Sequence, residues 1–196
     1  GRVLGVVLVA GNVGEAGLTD AQSDGLPVVQ RADETDDIDY HRHVGYEGTR
    51  YLLAQGCRRI AFMDWGKPAE NHEGISGVAD ALAAEGLALD NALVRFCGSS
   101  GERRAGERAL LDLWRQNPRP DGLVVCDDML FYSMLPAFMR ASIRVPEDLK
   151  IATHANRGDE RMTTFPAHGI EIDPEHTGRQ MGETLCKRME TCLVKT

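Results

Sequence analysis

Two short stretches hold the side chains best suited to chemistry: Cys126-Asp127-Asp128, closing the apolar run GLVVC, and His154-Ala155-Asn156, closing LKIAT. A catalytic thiol needs a base or a positive field to lower its pKa, and the two carboxylates beside Cys126 act in the opposite direction. Carboxylates, an imidazole and an amide at strand ends suit hydrogen bonding to a polar solute instead. Asp127, His154 and Asn156 are therefore candidate ligand contacts. Asp64-Trp65 at the end of RRIAFMDW adds a carboxylate and a flat indole face, and Asn12 and Arg31 follow two further strands. Two alternatives stay open. Asp128 is either a ligand contact or the N-cap of the helix after it, and Trp65 either faces a ligand or packs in the core. Asp127 is the better ligand candidate of the acidic pair.

No catalytic residue is assigned. The sequence contains no GxxxxGK[ST] phosphate loop, no GxSxG elbow and no GxGxxG after the first strand, where GNVG is too short. No cofactor is expected. His41 and His43 form an HxH, but no third and fourth ligand follow at metal spacing, so no metal site is expected and both read as solvated histidines. The five cysteines are odd in number, scattered and never in a CxxC pair, as in buried thiols kept reduced in the cytoplasm.

These residues need elements to position them. VLGVVLVAG (3 to 11) is too continuously apolar for a one-sided sheet and reads as a buried parallel strand. A short helix closed by Gly25, a strand at 26 to 30 and an acidic loop at 32 to 39 follow. Then helices at 43 to 55, 75 to 86, 102 to 117 and 128 to 142 alternate with strands at 58 to 65, 93 to 98, 122 to 126 and 149 to 153. A strand at 169 to 172 and a helix at 174 to 190 end the chain. Pro136 predicts a bend in its helix. Such alternation specifies an α/β protein of the doubly wound type, whose ligands settle outside the carboxyl ends of the strands.

With 196 residues, 42% of them hydrophobic, the chain can bury a real core. Its charge of −8, with a run at Asp33-Glu34-Thr35-Asp36-Asp37, repels phosphate backbones, so nucleic-acid contact needs another segment. No apolar run approaches the roughly 20 residues of a membrane span. The chain opens on a strand at Gly1, which suggests a fragment.

Five phrases, in order, resemble the effector-binding core of the LacI/GalR family of transcription regulators: GLPVVQ, YLLAQGCRRIAFM, GVADALAAEGL, PDGLVVCDDM and RVPEDLKIAT. The resemblance implies two Rossmann-like subdomains of the periplasmic-binding-protein type I class, joined by three crossings. Residues 1–38 with 168–196 would form the first, apparently incomplete, and 39–167 the second. It further implies a small effector, a sugar or related metabolite, in a cleft between them, a homodimer, a cytoplasmic location without membrane contact, and operator DNA bound through a helix-turn-helix that this chain lacks. The alternative is a periplasmic solute-binding protein of a sugar transporter. The family's sugar clamps carry over poorly. Ala32 and Gly74 stand where an Asp and an Arg are usual, Ala155-Asn156 replace an Asp-Asp corner, and only Asp127-Asp128 partly keep an Asn-Asp pair.

Overall fold

The computed structural model describes residues 4–8, 26–30, 40–67, 73–98, 102–159 and 165–194. Its contacts divide the chain into two compact units, Gly1–Ile38 with Asp173–Thr196, and Asp39–Ile172.

In the first unit, strands β1 (Val6–Leu8) and β2 (Val28–Gln30) pair in parallel, Val6 opposite Val28. The last helix of the chain, Pro174–Val194, packs on them. A Cβ added at Gly5 would lie 2.8 Å from Leu185 Cδ1, and the Arg188 guanidinium donates to the Val28 carbonyl. Pro174 opens that helix where a missing N–H costs nothing, and the Asp173 carboxylate accepts the amide of His176 at 3.0 Å.

The second unit holds a five-stranded, wholly parallel sheet. Along the chain run α1 (Tyr40–Ala54), β3 (Ile60–Asp64), α2 (Glu73–Ala84), β4 (Val94–Phe96), α3 (Ala105–Trp114), β5 (Gly122–Val125), α4 (Asp128–Arg140), β6 (Lys150–Asn156) and β7 (His168–Ile172). The helix at Pro174–Val194 is α5. The strand order is β4-β3-β5-β6-β7. The chain therefore steps one way from β3 to β4 and, after crossing back, the other way from β5 through β7. The order reverses between β3 and β5, and there the loops leaving the carboxyl ends of two adjacent strands diverge to opposite faces.

Strand side chains alternate between two separate cores. Ala61, Met63, Leu123, Val125 and Ile151 pack with α3 and α4 around Leu110, Leu113, Phe131 and Met134. Ile60, Phe62, Val124, Cys126 and Ala152 pack with α1 and α2 around Val44, Leu52, Val78 and Leu82. Both faces are covered, which is why β3 is buried at every position and is apolar up to its last residue, Asp64.

Helices α1 and α2 touch backbone to backbone. A Cβ at Gly77 would lie 2.2 Å from the Arg42 carbonyl oxygen, and one at Gly45 equally close to that of Gly74. The glycine of the GVADAL phrase is thus a packing residue that seats the first turn of α1. Gly56 ends α1 with φ of 86°, as its position in YLLAQG predicts. Cys57 N–H bonds the Leu52 carbonyl and Gly56 N–H that of Leu53, both at 3.0 Å. Helix α4 continues through the exposed Pro136 to Arg140.

The structure corrects one boundary. The strand at 168–172, assigned from the sequence to the first subdomain, pairs along its length with β6, Ile170 opposite His154, so the second unit extends to Ile172. Parallel pairing with a long neighbour decides membership, and the local pattern of GIEI carries no trace of which sheet it joins.

Candidate functional site

Register builds the site. Met63 pairs with Val125, and Val125 with Thr153, so the next residues, Asp64, Cys126 and His154, stand level on three adjacent strands. Cys126 keeps this level by donating its backbone N–H to the Met63 carbonyl at 3.1 Å. All three share the parity of Phe62, Val124 and Ala152, and so they face the α1 side of the sheet. Asn156 follows two residues later with the same parity.

The first turn of α1 closes over this row. Tyr40 hydroxyl donates to the Cys126 carbonyl at 2.6 Å, and its ring stands edge-on to His41, centroids 4.2 Å apart, and to His154, 4.9 Å apart. His41 Nδ1 lies 2.9 Å from Asp64 Oδ2. The other Asp64 oxygen accepts the Trp65 amide at 2.7 Å. Asp64 is 1% exposed and Cys126 fully buried, whereas the His41 side chain is 39% exposed, so the imidazole is the part of the cluster that reaches solvent. His154, also buried, reaches Asn156 Oδ1 with Nε2 at 3.2 Å and has Asp128 Oδ1 4.0 Å from Nδ1.

Among the sequence candidates, Asp64, Trp65, Asp127, His154 and Asn156 all gather at these strand ends. Asn12 and Arg31 lie outside the described residues. Of the acidic pair the capping residue is Asp127, where the sequence offered Asp128. Asp127 is the N-cap of α4, accepting the Leu130 amide at 2.8 Å, and the same oxygen accepts the Trp65 indole N–H at 2.8 Å. Asp128 is buried beside His154. The cap falls one residue earlier because Asp127, with φ of −142°, is still extended and can fold its carboxylate back over the helix amides. Trp65 packs against the α3–α4 core while its N–H is held by Asp127, which favours the packing alternative for its ring.

Three contributors escaped the sequence. Tyr40 falls between the loop at 32 to 39 and the helix expected from 43. His41 reads as solvated, yet it is bound to a buried carboxylate. On a helix His41 and His43 point about 200° apart, so the HxH does not act as a pair. Cys126 reads as a buried thiol, and its place beside Asp64 and His41 is not visible in the sequence. The signal that finds the row is parity: counting back from Asp64, Cys126 and His154 in twos gives the apolar residues of one face. Gly74 also acquires a reason. A Cβ there would lie 2.8 Å from the Phe62 ring and 3.1 Å from Cys126 Sγ, so the arginine usual at this position has no room for its first carbon unless both move.

Two of the other thiols, Cys57 and Cys97, are chemically quiet. Burial pushes the Cys97 thiol up to about 11 and raises that of Cys57. Cys57, Cys97, Cys126 and the exposed Cys186 are all free thiols.

The family described as periplasmic binding protein-like domain matches residues 49–192. The chain belongs to this family. A helix-turn-helix-type transcriptional regulator of Lachnoclostridium phytofermentans is 29% identical over 150 residues, 76% of this chain and 41% of that protein. The chain thus spans well under half the length of this curated relative. Among solved structures, a LacI family transcriptional regulator from Mycobacterium smegmatis superposes with a TM-score of 0.79 at 25% identity, over 97% of this chain and 72% of the other. The transcriptional regulator CelR in its cellobiose complex does so with 0.78 at 23% identity, over 97% and 60%. This periplasmic binding protein-like domain is a LacI-family effector-binding domain, and its relatives are regulators rather than enzymes. No helix among the described residues is long and apolar enough to cross a membrane.

Proposed function

We propose that this domain senses a small, neutral, hydroxyl-rich metabolite, a sugar or sugar-like molecule, at the carboxyl ends of β3, β5 and β6, with His154, Asn156, Asp64 and His41 as its polar contacts. The carrying observation is the level row Asp64, Cys126, His154 at the β3/β5 reversal, where doubly wound sheets bind ligands. The acids there are held by an indole, backbone amides and imidazoles. Such a rim accepts hydrogen bonds from hydroxyls and repels phosphates and carboxylates. The cellobiose bound by CelR supports a saccharide.

In the longer protein the domain acts in the cytoplasm as a homodimer and passes effector binding to a helix-turn-helix that holds operator DNA, without catalysing a reaction. The name of the Lachnoclostridium relative and the chain's acidic charge, unsuited to holding DNA itself, support this division of labour.

Thermal-shift screening of neutral sugars, sugar acids, nucleosides and purines tests the proposal. A neutral ligand at a hundred times its Kd adds about 2.7 kcal/mol, a rise of about 5–10 °C for a domain of this size. The rise should vanish in His154→Ala and Asn156→Ala. Indifference to all four classes, or a shift that survives both substitutions, overturns it.

A further inference from the structure

We propose that His41, Asp64 and Cys126 form a binding site for a divalent transition metal of the zinc type. One ligand atom from each lies within 4.8 Å of the others, and the three come from different elements, the first turn of α1 and the ends of β3 and β5. A mixed nitrogen, oxygen and sulfur set suits zinc, cobalt(II) or nickel(II), whereas magnesium and calcium demand oxygen throughout. The charges also close. A dication with one carboxylate, one thiolate and a neutral imidazole is a neutral unit, which suits a place where Asp64 and Cys126 are essentially inaccessible to water.

The surroundings hold each donor in place. The Trp65 amide fixes one Asp64 oxygen and leaves the other facing His41. Tyr40 hydroxyl pins the Cys126 backbone through its carbonyl. Gly74 makes room for the sulfur, since a Cβ there would stand 3.1 Å from it. Tetrahedral bonds of about 2.0–2.2 Å place nitrogen and oxygen about 3.3 Å apart. The 2.9 Å between His41 Nδ1 and Asp64 Oδ2 therefore has to open by only a few tenths of an ångström, within the freedom of a half-exposed imidazole. Three protein ligands leave a fourth tetrahedral position, which water or another small ligand would take from the side of the half-exposed imidazole. Binding releases the thiol proton as the sulfur–metal bond forms, and nothing is oxidised or reduced.

Cobalt(II) chloride titrated into the full chain under reducing conditions, with no effector present, tests the site independently of the sensing function. One equivalent should give a near-ultraviolet thiolate-to-cobalt absorption and tetrahedral visible bands, both abolished by competing zinc. Cys126→Ser should lose the thiolate band, and His41→Gln should weaken cobalt binding at least about tenfold. Cys186→Ser, which removes the exposed thiol, should change neither. Absence of the band in the unaltered chain, its survival in Cys126→Ser, or its loss in Cys186→Ser overturns the proposal. If Cys126→Ser does not fold, His41→Gln decides, because its side chain is outside the core; undiminished cobalt affinity there overturns the site.

Discussion

The two rims of the five-stranded sheet are polar in different ways. At the amino ends of the strands, opposite charges meet in pairs. Arg59 bonds Asp90 at 2.9 Å, Arg144 clasps Asp148 through two nitrogens at 2.9 and 2.6 Å, and the Asp121 carboxylate accepts the amides of Arg58 and Arg59 at 2.9 and 2.8 Å. Arg58 also donates to the Leu53 carbonyl at the end of α1. At the carboxyl ends the acids Asp64, Asp127 and Asp128 meet amides, an indole and imidazoles. Pairing with Arg gives a carboxylate two parallel charge-assisted bonds and locks a turn, whereas hydrogen bonds to amides, an indole and imidazoles hold a carboxylate through partners that a ligand or an ion can replace. One rim is scaffold and the other is suited to binding.

Substitutions at each rim separate the two. The largest effect is expected from Gly77→Ala, whose new carbon meets the Arg42 carbonyl and forces α1 away from α2. It should cost about 3 kcal/mol, seen as a lower urea midpoint, and should disturb the carboxyl rim because Tyr40 and His41 ride on the displaced turn. Asp121→Ala at the amino rim leaves two amides of the β3 entry without their acceptor and should cost about 2 kcal/mol while ligand-induced thermal shifts persist. Asp127→Ala removes the α4 cap and should cost about 1 kcal/mol, with the Trp65 fluorescence altered because the indole N–H loses its acceptor. The smallest effect is a pH dependence. Arg144, by side-chain and then backbone hydrogen bonds, holds the Asp148 carboxyl down at about 2, below its ordinary value of 3.8. A carboxyl depressed in the folded state stabilises above its unfolded pKa and loses that contribution as pH falls toward the folded one. The gap in urea midpoint between the unaltered chain and Asp148→Asn should therefore be constant near neutrality and shrink between about pH 4 and about pH 2.

Much of this architecture is legible in the residue order. Continuous apolar runs mark strands covered on both faces, Gly56 and Gly86 mark helix ends, and RVPED marks a tight return whose Arg144–Asp148 clasp is local, four residues apart. The site was half legible. Asp64, His154 and Asn156 stand at strand ends that the apolar pattern defines, but the capping of α4 by Asp127 rather than Asp128 depends on a single extended residue before the helix. The partnership of His41 with Asp64 spans 23 residues and two elements. No local pattern carries such a contact.

The sequence by itself determined the α/β alternation and the strand ends that gather polar residues, because these follow from periodicity and turn chemistry that act within a few residues; the family was legible only through the resemblance of five phrases. Only the tertiary structure decided the strand order, with its reversal between β3 and β5, the placement of β7 in the second sheet, and the row in which an aspartate, a cysteine and a histidine stand level. Register between distant strands and the close approach of two helices over Gly45 and Gly77 are set by how whole faces pack, a property that no single segment possesses.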